Sequence, residues 1–143
     1  MTLVDTNVLL DLVTNDPNWA DWSEAQLDQA SLAGPIAIND VIYAEMSGRF
    51  DQIELLDRML EEMAIEVVRT PRPALFLAGK ALRRYRASGG VRTGVLTDFF
   101  IGAHAAVDGW SLLTRDARRY RGYFPTVSLI APDRLIGWVR GPS

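Results

Sequence analysis

The sequence predicts an open α/β sandwich, with a mainly parallel sheet of about five strands covered by helices on both faces. Two observations carry this. Short apolar runs alternate along the chain with longer segments of helical periodicity, the element order that right-handed crossovers turn into parallel strands. The runs themselves are apolar enough to read as strands buried in the interior. The chain has 143 residues, 48% of them hydrophobic and 23% charged. That is one domain, residues 1–143, long enough to bury a core.

The elements are justified in chain order. Residues 2–4 form the first strand, which stops at the polar Asp5-Thr6-Asn7. Beyond Asp16-Pro17-Asn18 a helix runs to about Leu32 and ends at Gly34-Pro35. Residues 36–38 are the second strand, and Asn39 or Asp40 then caps a helix that runs to about Phe50. Ile53, Leu56, Met59, Leu60 and Met63 mark the apolar stripe of another helix. Residues 65–68 are a third strand, and Pro71 and Pro73 break the chain beyond it. Residues 74–87 are helical, closed by Ser88-Gly89-Gly90 and a basic loop over residues 91–94. Thr97 caps a helix from Asp98 to about Val107, and residues 110–113 and 127–130 are the last two strands.

Composition excludes several classes of function. Cysteine is absent, which removes disulfides, thiolate catalysis and Cys-based zinc sites. No apolar run reaches the ~20 residues of a membrane span. The start, MTLVDTNVLL, lacks a basic region and carries Asp5 within its apolar stretch, so no signal peptide is expected. The net charge of −3 hides an asymmetry: residues 1–66 carry 14 acidic and 2 basic side chains, residues 67–143 carry 4 acidic and 13 basic. A basic half in one domain either forms a face for a polyanion or neutralises the acidic half across the surface.

Ligands of such sheets bind beyond the carboxyl ends of the strands, and four carboxylates stand at privileged places. Asp5 ends the first strand, and Asp116 follows the fourth. Asp98 sits in the first turn of its helix, where the free N–H groups favour an anion. Glu45 lies on the helix after the second strand. Read singly, each is ordinary: a turn former, a helix-start acid, a solvated helix residue. Converging, they would repel one another unless a cation joined them. All-oxygen ligands without Cys or a convincing His select Mg²⁺ or Mn²⁺, and such ions favour phosphodiester hydrolysis. His104 lies on a different face of its helix from Asp98 and reads as structural.

The segments VDTNVLLDL, NDVIYAEM, LTDFFIGAHA and LLTRDARRY, in this order, resemble PIN-domain ribonucleases, and among them the VapC-type toxins of toxin–antitoxin pairs. The resemblance implies a PIN-like three-layer sandwich and a cytoplasmic, Mg²⁺- or Mn²⁺-dependent endoribonuclease that slows translation. It implies a homodimer, and a VapB-type antitoxin whose carboxyl-terminal segment occludes the pocket. Asp5, Glu45, Asp98 and Asp116 match the family's acidic metal positions. Thr6 or Asn7 matches the polar support of the first aspartate, Thr114 the threonine of T-x-D, and Tyr120 an aromatic position that packs. Where many relatives carry a further acid or amide after T-x-D, this chain has Arg118 and Arg119.

With that reading, Lys80, Arg83, Arg84, Arg86, Arg92, Arg115, Arg118 and Arg119, with Arg121, are candidates to line an RNA phosphate groove. Trp19, Trp22 and the stripe of residues 53–63 are either core or an apolar surface for a partner. Two other functions stay open. One is a PIN-like module that binds RNA or protein without cutting. The other is an aspartyl-nucleophile phosphatase built on Asp5, although that chemistry usually has a second Asp where this chain has Asn7.

Overall fold

Five parallel strands form the sheet of the computed structural model, which describes residues 1–92 and 94–132. Thr93 in the basic loop, and the end of the predicted domain from residue 133, lie outside the described residues. The strands are β1 (Thr2–Val4), β2 (Ile36–Asn39), β3 (Ile65–Val68), β4 (Ser111–Leu113) and β5 (Leu129–Ile130), in spatial order β3-β2-β1-β4-β5. The mainly parallel sheet of the sequence reading is parallel throughout these residues. β1 pairs with β2 through Leu3 and Ala37, and with β4 through Leu3 and Leu112. The order therefore reverses between β1 and β4, the switch point at which open α/β sheets form their crevice.

Among the described residues seven helices cover the sheet: α1 (Thr6–Val13), α2 (Ala20–Ala33), α3 (Asp40–Ser47), α4 (Ile53–Glu62), α5 (Arg72–Ala87), α6 (Val95–Asp108) and α7 (Arg118–Arg121). Every residue of β1 and β2 is buried, so both faces of the central sheet are covered. The core joins Leu3, Val4, Ile38, Leu112 and Leu113 of the sheet to Leu9, Ile42, Leu56, Phe99 and Ile101 of the helices. The outlying β3 is different: Val67 is half exposed, as an edge strand allows.

Several boundaries differ from the sequence reading. Helix α1 has no counterpart there; it begins directly after β1 with Asp5 as its cap, leaving no linker to announce it. Asn39 does cap α3, its side-chain oxygen accepting from the Ile42 N–H at 2.9 Å. The prolines start α5 rather than break the chain, because a first-turn proline needs no backbone donor. Thr97 is not a cap: α6 starts at Val95, and the Thr97 hydroxyl donates to the Gly94 carbonyl. The last two strands are shorter than predicted, and α7 had no apolar period long enough to reveal it. Trp22 is core, and Leu56 and Leu60 are buried within their stripe, whereas Ile53 is exposed.

Close packing carries α6 to the sheet's crevice. A Cβ at Gly102 would stand 2.4 Å from the Phe124 ring and 3.0 Å from that of Tyr120, so only glycine lets α6 approach these rings. His104, on the same helix, is buried away from the crevice. Its Nδ1 faces the Asn39 amide at 3.2 Å and its Nε2 faces Asp108 at 3.0 Å. An amide N–H directed at Nδ1 and a carboxylate at Nε2 suit a neutral ring protonated on Nε2. Its role is structural, as the helix angle implied.

Candidate active site

The site begins with the end of β1. The Asp5 N–H donates to Leu113 O of β4, which ties the carboxyl ends of the two strands at the switch point. The Asp5 carboxylate is only 2% exposed and accepts three hydrogen bonds. Its Oδ1 takes the Thr6 N–H at 2.7 Å, while its Oδ2 takes the Thr114 hydroxyl at 2.8 Å and the Tyr120 hydroxyl at 2.7 Å. Burial raises its pKa, the three donors pull it back, and the charge of Glu45 raises it further.

Hydrogen bonds extend from this centre to the other acids. Thr6, on the first turn of α1, donates its hydroxyl to Glu45 Oε1 at 2.6 Å. Thr114 accepts the Asp116 N–H at 3.1 Å, so one threonine side chain holds both the β1 aspartate and the aspartate after β4. Asn7 supports Asp5 at one remove: its amide donates to the Thr114 hydroxyl and its oxygen accepts the Arg115 N–H, each at 3.4 Å. Arg119 closes the set, with Nε 3.0 Å from Asp116 Oδ2 and Nη1 3.4 Å from Asp98 Oδ1.

The electrostatics shows that the four carboxylates share one field. The Asp98 pKa is pushed up to about 6, first by burial and then by the charges of Asp5, Glu45 and Asp116, against the opposing pull of Arg119. Burial alone would lower the pKa of Arg119, but Asp98 and Asp116 outweigh it and the net shift is upward. Burial and the neighbouring Asp5 raise the Tyr120 phenol well above its ordinary value, so it stays a donor.

Two cavities meet at Asp98 and Arg119. One, about 400 Å³, is lined by Glu45 and Thr97 as well as these two. The other, about 390 Å³, runs past Asp116 to Tyr85, Phe99 and Tyr123. Arg92 lines both. The donor set is hard and anionic, four carboxylates of which Asp98 and Asp116 are paired with Arg119, which is the chemistry that Mg²⁺ or Mn²⁺ accepts. Among the described residues no three His, Cys, Asp or Glu side chains form a cluster able to hold a metal ion by themselves.

The predicted basic groove is only partly assembled. Arg92, Arg118 and Arg119 line the cavities. Arg115 points elsewhere: its Nε is 3.0 Å from the buried Asp11 carboxylate, and its guanidinium lies over the Trp19 ring. Lys80 sits over Phe76 on α5, and Arg84 over the Tyr123 ring. Lys80, Arg83, Arg84, Arg86 and Arg121 line neither cavity. A helix of basic residues projects them in several directions, and only the tertiary packing selects those that face the acids.

Two contributions escape the sequence reading. Tyr120 reads there as a packing residue, yet its hydroxyl grips Asp5; a buried tyrosine in place of phenylalanine was the available signal, since its O–H needs a partner. The aromatic wall of Tyr85, Phe99 and Tyr123 joins three separate segments and had no local signature.

A family model described as the PIN domain matches residues 2–125. No curated protein matches the sequence. Among solved structures, a chain of the VapBC2 complex from Rickettsia felis, bound to a promoter DNA fragment, aligns with TM-score 0.70 at 19% identity, covering 92% of this chain and 98% of that one. A chain of DNA-bound VapBC from Salmonella typhimurium aligns with TM-score 0.64 at 18% identity, covering 91% and 96%. A chain of FitAcB from Neisseria gonorrhoeae aligns with TM-score 0.63 at 19% identity, with the same coverage. At these identities the likeness is one of fold.

Proposed function

The chain belongs to the PIN-domain family, and from that premise we propose that it is a Mg²⁺- or Mn²⁺-dependent endoribonuclease. The observation that carries the proposal is the contact network at the switch point of the sheet: Thr6 bonds Asp5 and Glu45, Thr114 bonds Asp5 and Asp116, and Arg119 pairs with Asp98 and Asp116. Residues 1–143 act as one domain in this reading.

Asp98 and Asp116, with Glu45 and the free lone pair of Asp5 Oδ1, would hold the cation. When bound, the ion supplies an activated water and Lewis-acid stabilisation of the phosphodiester. The chain does the rest. Thr114, Thr6 and Tyr120 orient Asp5, and Asn7 and Thr114 set the turn that carries Asp116. Arg119 balances the carboxylates, and Arg92 and Arg118 offer guanidinium groups to the phosphates on either side of the cut. Burial of Asp5, with Oδ2 committed to two donors, argues against an aspartyl-phosphate nucleophile.

The biological reading is the toxin of a toxin–antitoxin pair, acting on RNA in the cytoplasm as a homodimer and silenced by a VapB-type antitoxin. Its support is the fold shared with chains of the VapBC and FitAcB complexes. No described helix is long and apolar enough to cross a membrane.

Incubation of the purified chain with single-stranded RNA tests the chemistry. Cleavage with Mg²⁺ or Mn²⁺, none with a chelator, and none by Asp98→Asn are expected. Equal cleavage by Asp98→Asn would show the assignment to be wrong. A second reading is a PIN-like module that binds RNA or protein without cutting. Calorimetry separates the two, since such a module need not take up Mn²⁺.

A further inference from the structure

Beside the carboxylates, the 390 Å³ cavity is lined by aromatic residues that hydrolysis does not use. Tyr85 of α5, Phe99 of α6 and Tyr123 after α7 meet edge to face, with ring centroids 5.0 Å apart for Phe99 and Tyr123 and 5.8 Å apart for Tyr85 and Phe99. The cluster is braced from outside. The Arg84 guanidinium lies over Tyr123, and a Cβ at Gly90 would stand 2.4 Å from the Tyr85 ring, so the loop closes directly on that ring. The Tyr85 hydroxyl also accepts the Arg92 backbone N–H at 3.0 Å, so the wall is tied to the backbone of a residue that lines the same cavity.

Three chemistries thus line one space: aromatic rings, the side chains of Arg92, Arg118 and Arg119, and the carboxylates of Asp98 and Asp116, with which Arg119 pairs. The volume falls within the ~300–1,000 Å³ of pockets that take a small organic group. A nucleotide has matching parts, a flat apolar base joined to a phosphate that guanidinium groups bind.

We propose that the Tyr85–Tyr123 wall is a base subsite, taking one unpaired nucleobase of single-stranded RNA beside the phosphate held by Arg118 and Arg119. The inference rests on the nuclease reading and adds the residues that receive a base. In a duplex every base is stacked between neighbours, and the deep major groove of A-form RNA excludes side chains, so only loops, bulges and ends present a base to such a wall. Contact with a base face is tolerant of sequence. The subsite therefore selects unpaired over paired RNA rather than one base over another.

The test is binding by the full chain in a chelating buffer, which prevents cutting. The probes are a single-stranded RNA of about eight nucleotides, an abasic ribose-phosphate oligomer of the same length, and the RNA duplex. Wild type should prefer the single strand to both. Tyr123→Leu should weaken single-strand binding by about 5- to 100-fold and leave the abasic oligomer within about twofold, whereas Tyr123→Phe retains wild-type affinity. Equal affinity of Tyr123→Leu and wild type for the single strand, or equal loss on both oligomers, overturns the subsite while leaving the nuclease reading intact. Absence of binding to every probe by wild type overturns the subsite, and leaves the nuclease reading to the cleavage assay with divalent metal. Should Tyr123→Leu not fold, photocross-linking of wild type to thiouridine-substituted RNA decides: adducts on Tyr85 or Tyr123 support the subsite, and adducts confined to other surfaces overturn it.

Discussion

The Tyr120 hydroxyl donates to Asp5 Oδ2 across 2.7 Å, joining residues 115 positions apart. Both are buried, so neither group has water to replace the other. Tyr120→Phe is expected to cost ~1.5–3 kcal/mol in the metal-free protein at pH 8, the range for a hydrogen bond to a charged group. The loss should shrink at low pH. Burial already raises the Asp5 pKa, and removing a donor raises it further, so protonation on acidification relieves the unpaired charge. Urea denaturation at pH 8 and pH 4.5 measures this; an equal loss at both would mean that Tyr120 does not act on a carboxylate.

Asp98→Asn should abolish cleavage and yet stabilise the metal-free protein. The Asp98 pKa is raised from 3.8 to about 6, so the folded state holds its proton more tightly than the unfolded state. Stability therefore falls as pH rises from about 4 to about 6, and the ionised carboxylate remains a burden above that window. Its side chain is 14% exposed, so the full shift applies as an upper bound of ~3 kcal/mol. The asparagine variant should melt higher than wild type at pH 8 and level with it near pH 4. A lower melting point at pH 8 would contradict the crowding of charge.

Divalent metal should reverse that burden. Mn²⁺ or Mg²⁺ at ~100 times its dissociation constant would stabilise the fold by ~2.7 kcal/mol. Calorimetry and thermal melts should show the gain for wild type at pH 8, and little of it for Asp98→Asn or Asp5→Asn. A gain retained in full by both variants would place the ion elsewhere.

Arg115 and Arg118 should separate by function. Arg115 pairs with buried Asp11 and lies over Trp19, outside the cavities, so Arg115→Ala should lower stability. Its side chain is 32% exposed, which reduces the expected loss to ~1–2 kcal/mol. The salt dependence of RNA binding should not change. Arg118→Ala should leave stability within ~0.5 kcal/mol and reduce the slope of log affinity against log salt by about 1. Titrations at several salt concentrations, beside melts, would expose the reverse pattern.

The alternation of strands and helices is legible in the chain alone, and through it the parallel sheet and the crevice beyond the ends of β1 and β4. Asp5, Asp98 and Asp116 are legible as candidates, because strand ends and helix starts are local features that turn chemistry and apolar runs announce, and Glu45 is a candidate from its helix after β2. Helix α1 escapes because its cap is the site aspartate and no linker precedes it. Which arginines face the acids is a matter of packing: Arg119 reaches Asp98 and Asp116, whereas Arg115, four residues earlier, turns to Asp11. Packing likewise makes Tyr120 grip Asp5 and joins Tyr85, Phe99 and Tyr123 in one wall. Local propensity depends on neighbours in the chain, but the partner of a long side chain depends on which helix packs beside it. Close contacts such as Gly102 against Phe124 set that packing.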